Sequence, residues 1–306
     1  MRILVSGSTG FVGTALVEKL SRDGHAVARL VRRATPARNA AAGKRAQEVR
    51  WDPVAAEFDA AAAEGADALV HLAGASIAGG RWNAARKDLL RTSRIDATRH
   101  LIAALAQLRR PPRVIVAASA IGFYGDRGEE VLTETSAPGD DFLAKLCREW
   151  EGEAARGTQF GARVVHARFG IILAKHGGAL PRMAMPIKLG IGGRLGSGKQ
   201  WMSWVALGET VSILEFALGT AALSGPINVV APNPARNDEF TKILAKTLNR
   251  PAIFPAPAFA LRLALGEMAD GLLLGSQRVA PSKLVATGYA FEQPDVAGAL
   301  AHVYGS

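Results

Sequence analysis

Arg2-Ile3-Leu4-Val5-Ser6-Gly7-Ser8-Thr9-Gly10-Phe11-Val12-Gly13 is the stretch that decides the fold. A short apolar strand over Arg2–Ser6 runs into three glycines spaced by two residues. Helical spacing follows over Phe11–Arg22 and ends near Gly24, a C-terminal cap position. A strand that ends at Ser6 must turn sharply to enter that helix. Gly7 permits the backbone angles of the turn. Gly10 leaves no side chain where a diphosphate approaches, and Gly13 lets the helix pack close to the sheet. The helix amino terminus presents free N–H groups and a partial positive charge to phosphate oxygens. Gly7, Ser8, Thr9, Gly10, Phe11, Val12 and Gly13 are therefore the expected phosphate cradle. Spacing alone is a weak signal: 33 glycines in 306 residues yield roughly 0.4 such matches by chance. Gly190, Gly193 and Gly196 repeat the spacing in irregular chain. The strand before and the helix after set the first match apart.

The next β-like run, Ala26–Val31, ends Leu30-Val31-Arg32-Arg33 with no acid nearby. A carboxylate there would bond a ribose 2′-hydroxyl and repel a 2′-phosphate. Two guanidinium groups instead suit a 2′-phosphate through paired, charge-assisted bonds. Val31, Arg32 and Arg33 thus point to NADP rather than NAD.

Outward from this loop, strand-like and helix-like segments alternate. Strands are expected at Gln47–Trp51, Asp67–Leu72, Arg113–Ser119 and Ala162–Arg168, with helices over about 83–108 and Phe142–Ala155. Continuous apolar strands between helices imply a parallel sheet covered on both faces. The fold class is α/β, a doubly wound, Rossmann-type sheet with a smaller mixed C-terminal domain. After Gly170 the pattern loosens into a glycine-rich stretch with little regular structure. A helix over Gly208–Thr220 and a strand over Ile227–Val230 then precede a proline-rich tail. Residues 1–174 plus about 203–230 form the expected cofactor domain. About 175–202 plus 231–306 form the substrate domain.

The composition is that of a globular chain with a sizeable core, 49% apolar and 21% charged. No apolar run reaches the roughly 18 residues of a membrane span, and no secretory leader pattern is evident. The one cysteine, Cys147, excludes an internal disulfide and fits a reducing, cytoplasmic compartment. The net charge of +10 is uneven. Residues 1–113 hold 19 basic and 10 acidic residues, a net of +9, and the remainder hold 18 and 17, a net of +1. A phosphorylated cofactor, a nucleic acid or bare surface arginine all fit that excess. The basic segment lacks interleaved aromatics and any nucleic-acid motif, so no specific nucleic-acid partner and no membrane are expected.

Together these residues resemble the short-chain dehydrogenase/reductase superfamily in its extended and atypical branches. Val70-His71-Leu72-Ala73-Gly74-Ala75 looks like the fourth-strand segment that lines adenine and ribose. Val114–Ser119 with Phe123-Tyr124-Gly125 looks like the fifth strand and its ending, and Arg168-Phe169-Gly170 like the sixth-strand end near the nicotinamide. Gly79-Gly80-Arg81-Trp82, Ser93-Arg94-Ile95, Leu146 to Glu151, Gly192 to Trp201 and Ala231-Pro232-Asn233-Pro234 resemble a narrower group, the epimerase family proteins, which carry their own C-terminal domain. The resemblance adds Leu72, Ala73, Gly74, Arg94 and Arg168 to the cofactor contacts. It also implies homodimers built on two long helices, here 83–108 and 142–156.

The superfamily's hydride-transfer site is a Tyr and a Lys four residues apart, plus a strand-end hydroxyl. The lysine lowers the phenol's pKa so that it passes a proton. Only Tyr124, Tyr289 and Tyr304 exist here, and none has a lysine four residues on; Leu143 and Cys147 stand where the pair belongs. Ser119, Tyr124 and Cys147 remain as candidate catalytic residues, with Glu151 as a possible base. Each has a structural alternative: a strand-end cap, a packed ring, a buried thiol, a paired carboxylate. Gly190–Trp204, with Arg194, Lys199, Trp201 and Trp204, reads as the substrate loop. The six histidines are scattered without metal-ligand spacing, and His71 on a buried strand reads as a core residue. The leading expectation is an NADP-dependent oxidoreductase or epimerase for a small polar, nucleotide-sugar-like substrate. The rival is an NADP-binding regulator with little or no chemistry.

Overall fold

A computed structural model of the chain describes residues 1–32 and 47–305; Arg33 lies outside the described residues. Eight strands form the main sheet in the order Gly225–Val229, Arg163–Phe169, Val114–Ala120, Ala68–His71, Arg2–Ser6, Ala26–Val31, Gln47–Asp52 and Glu57–Phe58. All pairings are parallel except the last, where Trp51 lies opposite Phe58 in an antiparallel edge. Strand alternation sends successive side chains to opposite faces. Ile3 and Val5 meet Leu16, Leu20, Ile213 and Leu214 on one side. Leu4 meets Leu101, Ile102 and Leu105 on the other.

The helix Phe11–Arg22 buries Gly13, Leu16 and Leu20, an i, i+3, i+7 stripe. It ends where Gly24 takes φ +85°, which a glycine adopts without strain. The long helix expected over 83–108 runs from Ala84 to Ala106, opened by the Asn83 side chain accepting from the Arg86 N–H. It contains one wide π turn at Thr92–Asp96. That turn presents Ser93 and Arg94 to the loop after Ala68–His71: Ser93 Oγ accepts from the Ala75 N–H at 3.1 Å, and Arg94 donates to the Ala75 carbonyl at 3.0 Å.

The stretch expected to lack regular structure holds a helix, Leu180–Lys188, that buries Leu180, Ala184 and Ile187. Its prolines obscure it in the sequence. Pro181 sits in the first turn, where no N–H bond is lost, and Pro186 in the last. This helix joins a separate core with Leu173, Trp204, Phe240, Leu244 and Leu300. Arg278–Val279 pairs with Val131–Leu132, which ties the C-terminal third to the main sheet's side of the molecule. Among the described residues no helix is long and apolar enough to cross a membrane.

Candidate functional site

The carboxyl ends of Arg2–Ser6 and Ala68–His71 meet at the glycine loop, where open α/β sheets bind ligands. Gly7 takes φ +64°, and a Cβ there would lie 2.8 Å from the Leu72 backbone. A Cβ on Gly13 would lie 2.1 Å from the Gly7 carbonyl oxygen, so the helix and the loop touch through bare backbone. Gly10 differs. A Cβ there would meet only the Gly7 oxygen, at 3.1 Å, and otherwise enter open space. Gly10 also caps the helix without any side-chain hydrogen bond, so the first-turn N–H groups have no capping partner. Beside them Ser8 is buried with its Oγ unpartnered, which is costly unless a ligand supplies an acceptor or donor. An anionic diphosphate fits this cradle on all three counts: space, free amides and an orphan hydroxyl.

The loop's surroundings are held from below. Ser6 Oγ accepts from the Leu72 and Ala73 N–H groups at 3.1 and 3.3 Å and bonds His71 Nδ1 at 2.6 Å. His71 Nε2 bonds Thr98, which also accepts from the Trp150 indole. Burial pushes the His71 pKa down to about 4, so this imidazole is a neutral core member. Arg94 lies against Gly74, where a Cβ would come within 3.3 Å of the guanidinium carbon. Arg32 is exposed at the end of Ala26–Val31. Asp52 is close to it. The Val54 and Ala55 N–H groups hold the Asp52 carboxyl below its ordinary range, and the charge of Arg32 adds to this.

The expected catalytic residues converge, but inward. Ser119 donates to Glu151 at 2.6 Å. Arg168 grips both oxygens of Glu151, each at 2.8 Å, and donates to the Tyr124 hydroxyl at 3.0 Å. Tyr124 donates to Asn228 Oδ1 at 2.7 Å and is fully buried. The Arg168 guanidinium also stacks 3.5 Å from the Phe123 ring centroid. Sequence reading sets Arg168 on the cofactor, whereas all three of its nitrogens are engaged within the protein. Burial, with the charge of Glu151 adding, pushes the Cys147 thiol up to about 12 despite opposing help from Ala120, Arg94 and Ser119. A thiol so placed is a poor nucleophile and a poor acid at neutral pH. Burial also raises Tyr124, against the Arg168 charge and its hydrogen bonds with Arg168 and Asn228. Glu134, which accepts from the Asn228 N–H, completes the cluster. Neither Asn228 nor Glu134 carries a sequence signal, because they arrive from a distant strand and a loop.

Within the expected substrate loop, Trp204 is fully buried in the second core. Trp201 has the guanidiniums of Arg236 and Arg278 within 4.7 Å of its ring centroid and donates to Glu129. Arg194 donates to the Ser197 carbonyl. The nearby open space is a cleft of about 370 Å³ beside Tyr124, lined by Gly125, Asp126, Arg127 and residues 138–141. Among the described residues no His, Cys, Asp and Glu cluster suits a metal ion.

The sequence pattern of the NAD dependent epimerase/dehydratase family matches residues 3–230, and that of a domain of unknown function, DUF1731, matches residues 256–303. The chain is 42% identical over 301 residues to the epimerase family protein Mb2239 of Mycobacterium bovis, covering 98% of this chain and 96% of that one. It is 35% identical over 306 residues to the human epimerase family protein SDR39U1, covering 99% of each. A crystal structure of human SDR39U1 (isoform 2) with NADPH superposes with a TM-score of 0.90 at 33% identity, covering all of both chains.

Proposed function

Since the chain belongs to the NAD dependent epimerase/dehydratase family, we propose that it binds NADP(H) at the glycine loop and acts on a small polar substrate as an oxidoreductase or epimerase. The observation that carries this reading is the Gly10 cradle: open space where a side chain would stand, uncapped amides, and the unpartnered Ser8 hydroxyl. The similarity to a structure containing NADPH supports the choice of cofactor. The backbone of Gly7 to Gly13 holds the diphosphate, and Arg32 with Arg33 binds the 2′-phosphate. Leu72, Ala73 and Gly74, with Arg94 behind them, line the adenosine side. When bound, the cofactor supplies or accepts a hydride.

The chain's own residues arrange the remaining polarity. Ser119 stands at the strand end with its hydrogen directed to Glu151; in this reading its oxygen accepts from a substrate hydroxyl. Arg168 fixes Glu151, and through Tyr124 it fixes the wall of the cleft lined by Asp126 and Arg127. That charged lining suits a polar substrate. Titration of the purified chain with NADPH and NADH tests the reading. Tighter NADPH binding is expected, and NADH binding as tightly as NADPH overturns the assignment of the paired arginines.

A second reading, an NADP-binding regulator without turnover, is favoured by one observation: the hydroxyls of Ser119 and Tyr124 both point into the protein's own network. Assays with NADPH against carbonyl compounds, and with NADP-loaded protein against sugar nucleotides, separate the two. Turnover that survives Ser119→Ala removes Ser119 from the chemistry, and tight binding without turnover on any panel supports the regulator.

A further inference from the structure

The C-terminal third carries an exposed apolar surface. The helix Ala258–Leu265, sequence AFALRLAL, has no buried residue. Phe259 is 74% and Leu263 78% exposed. Residues 254–256 pair with 192–196 through three backbone bonds, Phe254 to Gly192, Ala256 to Arg194 and Gly196 to Ala256. That pairing joins exposed Ile253 and Phe254 to exposed Leu189 and Ile191. All six are more than half exposed, an apolar surface of the kind that marks an interaction site.

Exposure alone fits either a lipid surface or a second copy of the chain. Charge decides between them. Residues 180–200 and 250–266 contain six Lys and Arg and no Asp or Glu. Among the described residues only Arg262 of these six is ion-paired, to Asp270 at 2.8 Å. Arg182, Lys188, Arg194, Lys199 and Arg250 carry no ion pair. Apposing two such rims would bring like charges together. An anionic bilayer meets both features at once: apolar side chains enter the interfacial layer while surrounding cations meet lipid phosphates and carboxylates. Among the described residues no helix is long and apolar enough to cross a membrane, and lying on the surface requires none.

We propose that the apolar face of Ala258–Leu265 and residues 189–191 and 253–254, with its basic rim, docks on anionic lipid bilayers. This is independent of the proposed chemistry. The test is co-sedimentation of the full chain with sucrose-loaded vesicles of phosphatidylcholine alone or with phosphatidylserine, at 150 mM salt, with light scattering of the free protein in parallel. The expected result is pelleting with phosphatidylserine vesicles and a partition coefficient at least tenfold lower for the double variant Phe259→Ser with Leu263→Ser. Lys188→Gln with Arg250→Gln weakens it severalfold and flattens its salt dependence. Both pairs are exposed, and unchanged melting temperature and NADPH binding verify that the variants are folded. Wild-type protein that stays in the supernatant overturns the proposal. So does pelleting that the Phe259/Leu263 variant leaves unchanged, which means adsorption by net charge alone. A dimer in the scattering that the same variant dissolves assigns the face to a second copy instead and likewise overturns it.

Discussion

Gly10→Ala and Gly13→Ala should fail in different ways, and the difference isolates the cradle from the fold. The two residues are one helical turn apart on the same loop. A methyl at 13 would sit 2.1 Å from the Gly7 carbonyl oxygen, about 1.3 Å short of ordinary van der Waals contact near 3.4 Å. Both partners are backbone, so the helix and loop must part. Overpacking of this kind costs about 1–3 kcal/mol of stability, and the displaced amides lose NADPH as well. A methyl at 10 meets only one atom, at 3.1 Å, which a shift of a few tenths of an ångström relieves. Losing glycine at a helix cap costs about 0.5–1 kcal/mol, and the less flexible unfolded chain offsets part of that. The folded variant then carries a methyl group where the proposed diphosphate site lies. Binding at least 30-fold weaker, about 2 kcal/mol, is expected. Urea melts give the stability of each variant, and quenching of NADPH fluorescence gives its affinity. Gly10→Ala that binds NADPH within threefold of the wild type would show that the ligand does not lie over residue 10, and the cradle reading would be wrong.

Glu151→Ala leaves Arg168 buried and uncompensated and should lower stability by about 3–5 kcal/mol, whereas Glu151→Leu combined with Arg168→Leu recovers much of the loss; a single variant as stable as wild type in urea refutes this. His71 titrates near 4 in the folded chain against 6.5 in the unfolded one. The unfolded chain therefore binds more protons in that window, and stability falls as pH drops from about 6.5 through 4. In His71→Asn the stability lost between pH 7 and 4.5 should shrink by about 2–3 kcal/mol. Cys147, buried with its thiol raised to about 12, should resist iodoacetamide at pH 8 until urea unfolds the chain; rapid labelling of native protein would contradict the burial.

The parts of this molecule that sequence reading reaches are those fixed by neighbours along the chain. Phe11–Arg22 and Phe142–Ala155 lie where apolar spacing and the following glycine or the Asp141 cap place them. The strands fall within a residue or two of the apolar runs, because a strand buried on both faces needs an unbroken run. The Gly10 cradle is legible for the same reason: turn, cap and helix are consecutive. The direction of the Ser119 hydroxyl is not. It depends on Glu151, 32 residues on, and on Arg168, 17 beyond that, and no local signal says which way a serine turns. Trp204 reads as a ligand platform in a glycine-rich loop and becomes core because Phe240 and Leu300 close over it from far along the chain. The short edge strand Glu57–Phe58 and the helix Leu180–Lys188 escape notice because two residues show no period and prolines interrupt the other.

Phe11 begins the helix whose amino terminus forms the cradle, and its ring lies beneath Gly177 and Gly178, where added carbons would fall 2.6 and 3.0 Å from it. The lid over this ring belongs to the chain that leads into the second core. A ligand that shifts this ring on binding would therefore move a strap anchored in the other half of the molecule. By thermodynamic reciprocity, any such shift would let changes in the strap alter the ligand's affinity by the same free energy.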